Sequence, residues 1–258
     1  SLPRVLLWFG IFQVVWGVVY GVPLSVEPMK ALAGLAIAGT LPYESFLVAG
    51  LLVGAVLLLA GRAGVLAALS RRVGSPAIRG VQLAVALLLG VRAVELALAE
   101  PTLAAGAAVL GGLAILAGYG RVAPLAVLGA GVLVAVGAGV PAPSLPFPAF
   151  VPALASPSVS VGTVEAAVGQ LAMSVGNAAV ATAALCATLF DREVSPDRLG
   201  ESMGVTTLVA VPLGGVPMCH GSGGLAGKHA FGARTGGANV VLGVLYVVAA
   251  VFAGVVSA

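Results

Sequence analysis

This sequence has little charge. Asp, Glu, Lys and Arg make up 8% of its residues, against a hydrophobic share of 60%, whereas ordinary soluble domains carry roughly 25% charged residues. So few polar groups cannot cover a water-facing surface, which excludes a soluble globular domain. Cysteine and histidine are scarce as well, two of each. Cys186 and Cys219 stand in apolar surroundings, so no disulfide framework is expected. Cys219, His220 and His229 have no carboxylate beside them, and His229 falls nine residues after His220, a poor pattern for a metal site. As a nucleophile and base, Cys219 and His220 lack a third, orienting residue. No catalytic residue, metal or cofactor is therefore expected. The net charge of +3 is too small to attract nucleic acid. No signal peptide is visible either. The chain enters an apolar run directly from Ser1, and its N-terminus is expected to be missing or processed.

What the sequence does have is long apolar runs, with a mean hydropathy of +1.15. They fall at residues 5–21, 43–60, 80–98, 102–118, 122–139, 163–190, 201–213 and 239–256. Most approach the ~20 residues that span a bilayer, and they are continuous rather than alternating, which argues for helices and against a membrane β-barrel. The expected fold class is an all-α membrane protein in a lipid bilayer. Residues 62–70 read either as a helix end or as an interfacial turn. Two segments, 28–38 and 222–233, are too short and too interrupted to span. The Pro-rich stretch 140–158 reads as the boundary between two halves.

Basic residues sort the loops. Arg62, Arg71, Arg72 and Arg79 fall in one connection, Arg121 in another, Arg192 and Arg198 in a third, Lys228 and Arg234 in a fourth; the loops at 39–42, 99–101 and 140–162 have none. The positive-inside rule makes basic loops 61–79, 191–198 and 228–234 cytoplasmic in a multi-pass plasma-membrane protein, with Arg4 the exception. On this reading Lys228, His229 and Arg234 form an inside anchor cluster. Arg92 and Glu95, three apart on one helix, read as a structural pair.

The two short segments match each other. "GVPLSVEPMKALAG" begins at Gly21 and "GVPMCHGSGGLAG" at Gly215; both open Gly-Val-Pro and close Leu-Ala-Gly, about 190 residues apart. The loop charges give them opposite orientations, the mark of an inverted-repeat transporter with its site at discontinuous helices. Pro23, Pro28 and Pro217 disfavour helix before them, so both approaches should be extended. Pro28 suits the first turn of one helix, and Ser222 can cap another starting near Gly223. Opposed helix N-termini offer free N–H groups and partial positive charge, together an anion site. Gly221, Gly223 and Gly224 would let a ligand approach the backbone. Lys30 is an intramembrane charge and hence a functional candidate. Glu27 either pairs with Lys30 or carries a coupled proton, and His220 is a second proton candidate. Gln170 and Asn177, seven apart on one helical face, either line the same cavity or glue helices together.

These motifs resemble the paired signatures of the molybdate transporter family related to the SulP sulfate transporters. The resemblance rests on "VPLSVEPMKALAG", "VPMCHGSGGLAGKHAFGARTG" and "GQLAMSVGNAAVATAALCATLF", and covers most of residues 10–237. It implies two inverted repeats of the seven-plus-seven type, split into core and gate domains. It further implies uptake of a tetrahedral oxyanion, molybdate by preference or sulfate, by alternating access. The site residues it implies are Glu27, Pro28, Lys30, Gln170, His220, Gly221, Ser222, Gly223 and Gly224. A sulfate-selective transporter and an anion channel are the alternatives, and a coupled proton or sodium ion and a homodimer are left open as partners.

Two departures stand out. Glu27 replaces the family's usual Gln, and a carboxylate beside a dianion must be neutralised by Lys30 or by a proton. The family's first helix is missing, and one spanning segment follows the second signature where about four follow the first. The expectation is a trimmed piece of a longer protein: residues 1–140 as a first repeat lacking its first helix, 141–162 as linker, and 163–258 as an incomplete second repeat.

Overall fold

The computed structural model describes residues 1–70, 83, 87, 90, 91, 93–120, 122–137, 139, 144–154 and 159–253. Arg71, Arg72, Arg79, Arg92 and Arg121 lie outside them, and with Arg92 its pairing to Glu95. The chain divides into two compact units, one formed by Ser1–Gln82 with Pro143–Ala258, the other by Leu83–Ala142.

The smaller unit holds α5 (Ala93–Ala99), α6 (Pro101–Leu116) and α7 (Ala123–Gly137), with α6 packed on α7. Pro101 starts α6, as proline at a first helical position favours, and α5 and α6 meet there at 119°. α6 buries none of its residues. A helix apolar all round belongs either to a protein core or to a membrane span.

The larger unit carries the remaining helices: α1 (Leu2–Tyr20), α2 (Lys30–Ile37), α3 (Tyr43–Arg62), α4 (Val65–Ser70), α8 (Val161–Met173), α9 (Thr182–Phe190), α10 (Pro196–Ala210), α11 (Ser222–Ala230) and α12 (Gly237–Phe252). A π-helical segment, Ser174–Ala181, joins α8 to α9. Among the described residues three helices are long and apolar enough to cross a membrane, namely Leu2–Tyr20, Tyr43–Arg62 and the continuous Val161–Phe190, or four if the bent α5–α6 pair is one span. The protein is thus a helical, multi-pass membrane protein. The ambiguous stretch 62–70 resolves into a turn at Gly64 followed by the short helix α4. Asp197 Oδ1, at the start of α10, accepts the N–H groups of Leu66 and Ala67 and so caps α4.

Two helix pairs are brought close by small residues. Where α1 meets α12, a Cβ added at Gly10 would lie 2.8 Å from the Gly243 carbonyl; where α3 meets α10, one added at Gly204 would lie 2.6 Å from the Gly54 carbonyl. Contacts this tight admit hydrogen only, the small-residue packing typical of membrane helices. α3 also presents Gly50 to the ring of Pro217, which leaves no room for a side chain there.

Between these pairs the chain breaks twice. α1 ends at Gly21, and the helical turn Val211–Leu213 after α10 ends at Gly214. Both glycines are left-handed, with φ of 67° and 91°, a conformation glycine adopts without penalty. After each, the chain runs extended. The two extended pieces, β1 (Glu27–Pro28) and β2 (Met218–Cys219), then pair antiparallel, Glu27 opposite Cys219 and Pro28 opposite Met218. The Met29 N–H extends the ladder by donating to the Pro217 carbonyl at 2.9 Å. Thr207 Oγ1 accepts the Met218 N–H at 3.1 Å and donates to the Met218 carbonyl at 3.0 Å. Backbone polar groups have no water to turn to at membrane depth; here each break supplies partners for the other, and Thr207 of α10, Gln13 of α1 and Asn239 of α12 supply more. The sequence predicted the extended pieces but not their pairing. Pro28 is a ladder residue rather than the first residue of a helix, and α2 starts at Lys30.

Candidate functional site

α2 and α11 leave the ladder from its opposite ends, because each follows one strand of an antiparallel pair. The Glu27 side chain links the two helix starts, pairing with Lys30 of α2 and lying against Gly221 and Gly224 of the other, and the expected site residues gather around it, with exceptions. Lys30 opens α2, and its ammonium pairs with Glu27 Oε2. That oxygen is buried, and among the described residues the Lys30 ammonium is the partner it has. The Glu27 carboxylate lies against α11: Cβ atoms added at Gly221 or Gly224 would collide with it, and at Gly224 also with Ser25 Oγ. Gly221 and Gly224 thus form a cradle for a carboxylate at a helix N-terminus, where partial positive charge favours an anion. Gly223 is exposed and faces open space. Pro28 is exposed as well, and its carbonyl receives the Cys219 thiol at 3.6 Å.

Gln170 and Asn177 bring the long helix Val161–Phe190 to both half-helices. Gln170 Oε1 accepts the N–H groups of Ala31 and Leu32 at 2.9 and 3.2 Å. Its Nε2 donates to Ser174 Oγ at 2.9 Å, which fixes the amide's orientation. It supplies α2 with the cap that Met29, with no side-chain hydrogen bond, does not give. Ser222 Oγ donates to Asn177 Oδ1 at 2.5 Å, so Ser222 is the first residue of α11 rather than its cap, and Gly221 holds the capping position. Asn177 sits inside the π-helical segment, whose wide turn leaves backbone carbonyls without their usual partner; Thr182 Oγ1 donates to the Asn177 carbonyl at 3.1 Å.

His220 points elsewhere. Its Nδ1 is 2.9 Å from the Ser25 carbonyl and its Nε2 2.7 Å from Ser202 Oγ. The Tyr20 hydroxyl donates to the same Ser202 oxygen at 2.9 Å. Trp8, Phe12, Trp16 and Tyr20 form a stack along α1 at every fourth residue, and the rings of Trp16 and Tyr20 meet His220 edge-on. Both imidazole nitrogens are engaged in holding one extended segment to the other and to α10.

Lys228 departs most from the sequence reading. Its ammonium turns inward and donates to Asn239 Oδ1 at 2.7 Å, Gln13 Oε1 at 3.2 Å and the Leu24 carbonyl at 3.4 Å. Arg234 stays exposed, and His229 packs on Phe190. Sequence reasoning missed Gln13, Ser25, Ser202, Thr207 and Asn239. The available signal was plain for two of them, since Gln13 and Asn239 are lone amides in otherwise apolar helices and both are buried.

The family described as molybdate transporter of the MFS superfamily matches residues 1–89 and 162–258. The chain is similar to Molybdate transporter 2 of Arabidopsis thaliana, 42% identical over 84 residues, which is 33% of this chain and 18% of that protein. It is similar to Molybdate transporter 1 of the same plant, 28% identical over 299 aligned positions, covering 95% of this chain and 65% of that protein. Molybdate transporter 1 of Chlamydomonas reinhardtii is 34% identical over 94 residues, 34% of this chain and 18% of that protein. The chain therefore spans less than two thirds of each of these relatives.

Proposed function

Since the chain belongs to the family described as molybdate transporter of the MFS superfamily, we propose that it carries molybdate, or a tetrahedral oxyanion of like shape, across the membrane by alternating access. One observation carries the reading beyond the family name: the antiparallel ladder between Glu27–Pro28 and Met218–Cys219, from whose two ends α2 and α11 begin. Two helix starts and the Lys30 ammonium gathered around one pair of strands are what a buried dianion needs. The substrate site comprises Glu27, Pro28, Lys30, Gln170, Asn177, Gly221, Ser222, Gly223 and Gly224. His220 supports it from behind, because both of its ring nitrogens are already bonded.

In this reading the Glu27 carboxylate lies where the oxyanion would bind, against Gly221 and Gly224. A dianion arriving at the Gly221–Gly224 cradle meets a carboxylate already there, and like charges in a dry site repel strongly. Taking up one proton on Glu27 removes the repulsion, which makes Glu27 the proton-coupling group. The two breaks belong to two inverted, SulP-like repeats, residues 1–140 and 163–258, joined by 141–162. In the plasma membrane, the basic loops at 61–79, 191–198 and 228–234 face the cytoplasm, with Lys228 itself withdrawn from the last of them.

The test is equilibrium binding of molybdate and of sulfate to the purified protein and to a Lys30→Ala, Ser222→Ala double variant. Saturable molybdate binding that the double variant loses is the expected result. Unchanged affinity in the double variant removes the site, and no binding of either anion removes the substrate class.

A further inference from the structure

An ammonium carries three N–H donors, and around Lys228 three oxygens receive them: Gln13 Oε1 from α1, the Leu24 carbonyl from the first break, and Asn239 Oδ1 from α12. All three are neutral, and among the described residues Lys228 forms no ion pair. The oxygens are held in place independently of the lysine. Gln13 Nε2 donates to the Val26 carbonyl at 3.2 Å, and Asn239 Nδ2 donates to the Leu24 carbonyl, so each amide has its nitrogen on the backbone and its oxygen toward Lys228. Gln13 is 2% exposed and Asn239 fully buried. Gly17 and Gly236 bring α1 and α12 together around Asn239; a Cβ added at Gly17 would lie 2.6 Å from that of Asn239.

A lysine that only anchored a cytoplasmic loop would lie in water or among headgroups. This one is drawn inward onto neutral carbonyl oxygens from three separate elements, the ligand type that hard cations such as alkali ions take. We propose that Gln13, Leu24 and Asn239 form a monovalent-cation site permanently filled by the chain's own Lys228, a tethered co-ion that takes the place of a sodium ion. The tether also sits on α11, whose first turn faces the Glu27 carboxylate. When protonated it adds positive charge on the α11 side of Glu27, and it binds the half-helix to α1, to α12 and to the other break. The inference concerns a cation and holds whichever oxyanion the protein carries.

The experiment is thermal unfolding of the purified full chain, with no oxyanion present, in equal concentrations of sodium, lithium or choline chloride. The wild type is expected to unfold at one temperature in all three. Lys228→Ala opens the site, so it is expected to be less stable in choline and to recover by about 3 °C or more in sodium or lithium. If the single variant cannot be purified, Lys228→Met with Asn239→Asp puts a carboxylate in the emptied site and is expected to be recovered in sodium but not in choline. The proposal is overturned by a wild type stabilised by sodium, by a Lys228→Ala variant as indifferent to cations as the wild type, or by both variants failing in sodium and choline alike.

Discussion

Asn177 Oδ1 accepts the Ser222 hydroxyl at 2.5 Å, joining the π-helical segment to the first residue of α11. Both residues are buried. Replacing Asn177 by Leu leaves that hydroxyl without its acceptor, which costs about 1–3 kcal/mol for a buried polar group. Unfolding of the detergent-purified variant checks the loss. The double change with Ser222→Ala should recover part of it, with a coupling of roughly 0.5–3 kcal/mol. Losses that simply add would show that the two side chains do not interact.

Gln170 makes the matching contact to the other half-helix, and its role as a cap separates stability from binding. Gln170→Leu removes the acceptor for Ala31 and Leu32 and should cost about 0.5–2 kcal/mol, as a lost N-cap does. Gln170→Glu keeps an acceptor in place but sets a negative charge at the helix start. It should unfold near the wild-type temperature and yet bind molybdate at least about tenfold more weakly, since ~1.4 kcal/mol of added repulsion suffices for that. A Glu variant with full affinity would mean the oxyanion does not approach α2.

Gly221 tests the carboxylate cradle. The nearest atoms to a Cβ added there all belong to the Glu27 carboxylate, so Gly221→Ala forces Glu27 aside. Overpacking of this kind costs about 1–3 kcal/mol. Glu27→Ala should relieve most of the damage, because it removes the atoms in the way. Gly224→Ala should be relieved less, because Ser25 also stands in its path. Thermal unfolding of the four variants decides it; equal rescue at both glycines would contradict the geometry.

These residues also mark how far the sequence could be read. Apolar runs located the helices among the described residues, the run 80–98 lying partly outside them, because in a membrane chain length and hydropathy act with little competition. The matched Gly-Val-Pro openings located both breaks, since proline and glycine act locally. The pairing of β1 with β2 was not legible: residues 27–28 and 218–219 lie far apart in the chain, and two-residue strands carry no periodicity. Lys228 was misread for a related reason. Its neighbours His229 and Arg234 are basic and near a helix end, the local pattern of an inside loop. Its acceptors come from Gln13 and Leu24, more than 200 residues earlier, and from Asn239 on the next helix. Glu27 was found from its position alone, but its place against Gly221 and Gly224 needed the fold.

Glu27 and His220 make opposite predictions about pH. If Glu27 must take up a proton before a dianion can share its cradle, binding by the wild type strengthens as pH falls, because proton and oxyanion then bind together. Glu27→Gln is uncharged at every pH and the same shape. Its molybdate affinity should not change between about pH 5 and 8, and at the upper end it should exceed that of the wild type. His220→Asn loses the ties to Ser25 and Ser202 and should be less stable by about 1–3 kcal/mol. It should nevertheless keep the wild-type pH dependence if the imidazole is a tie and Glu27 the proton carrier. Molybdate titrations of both variants across that pH range distinguish the two residues. A pH dependence that survives in Glu27→Gln and vanishes in His220→Asn would reverse the assignment.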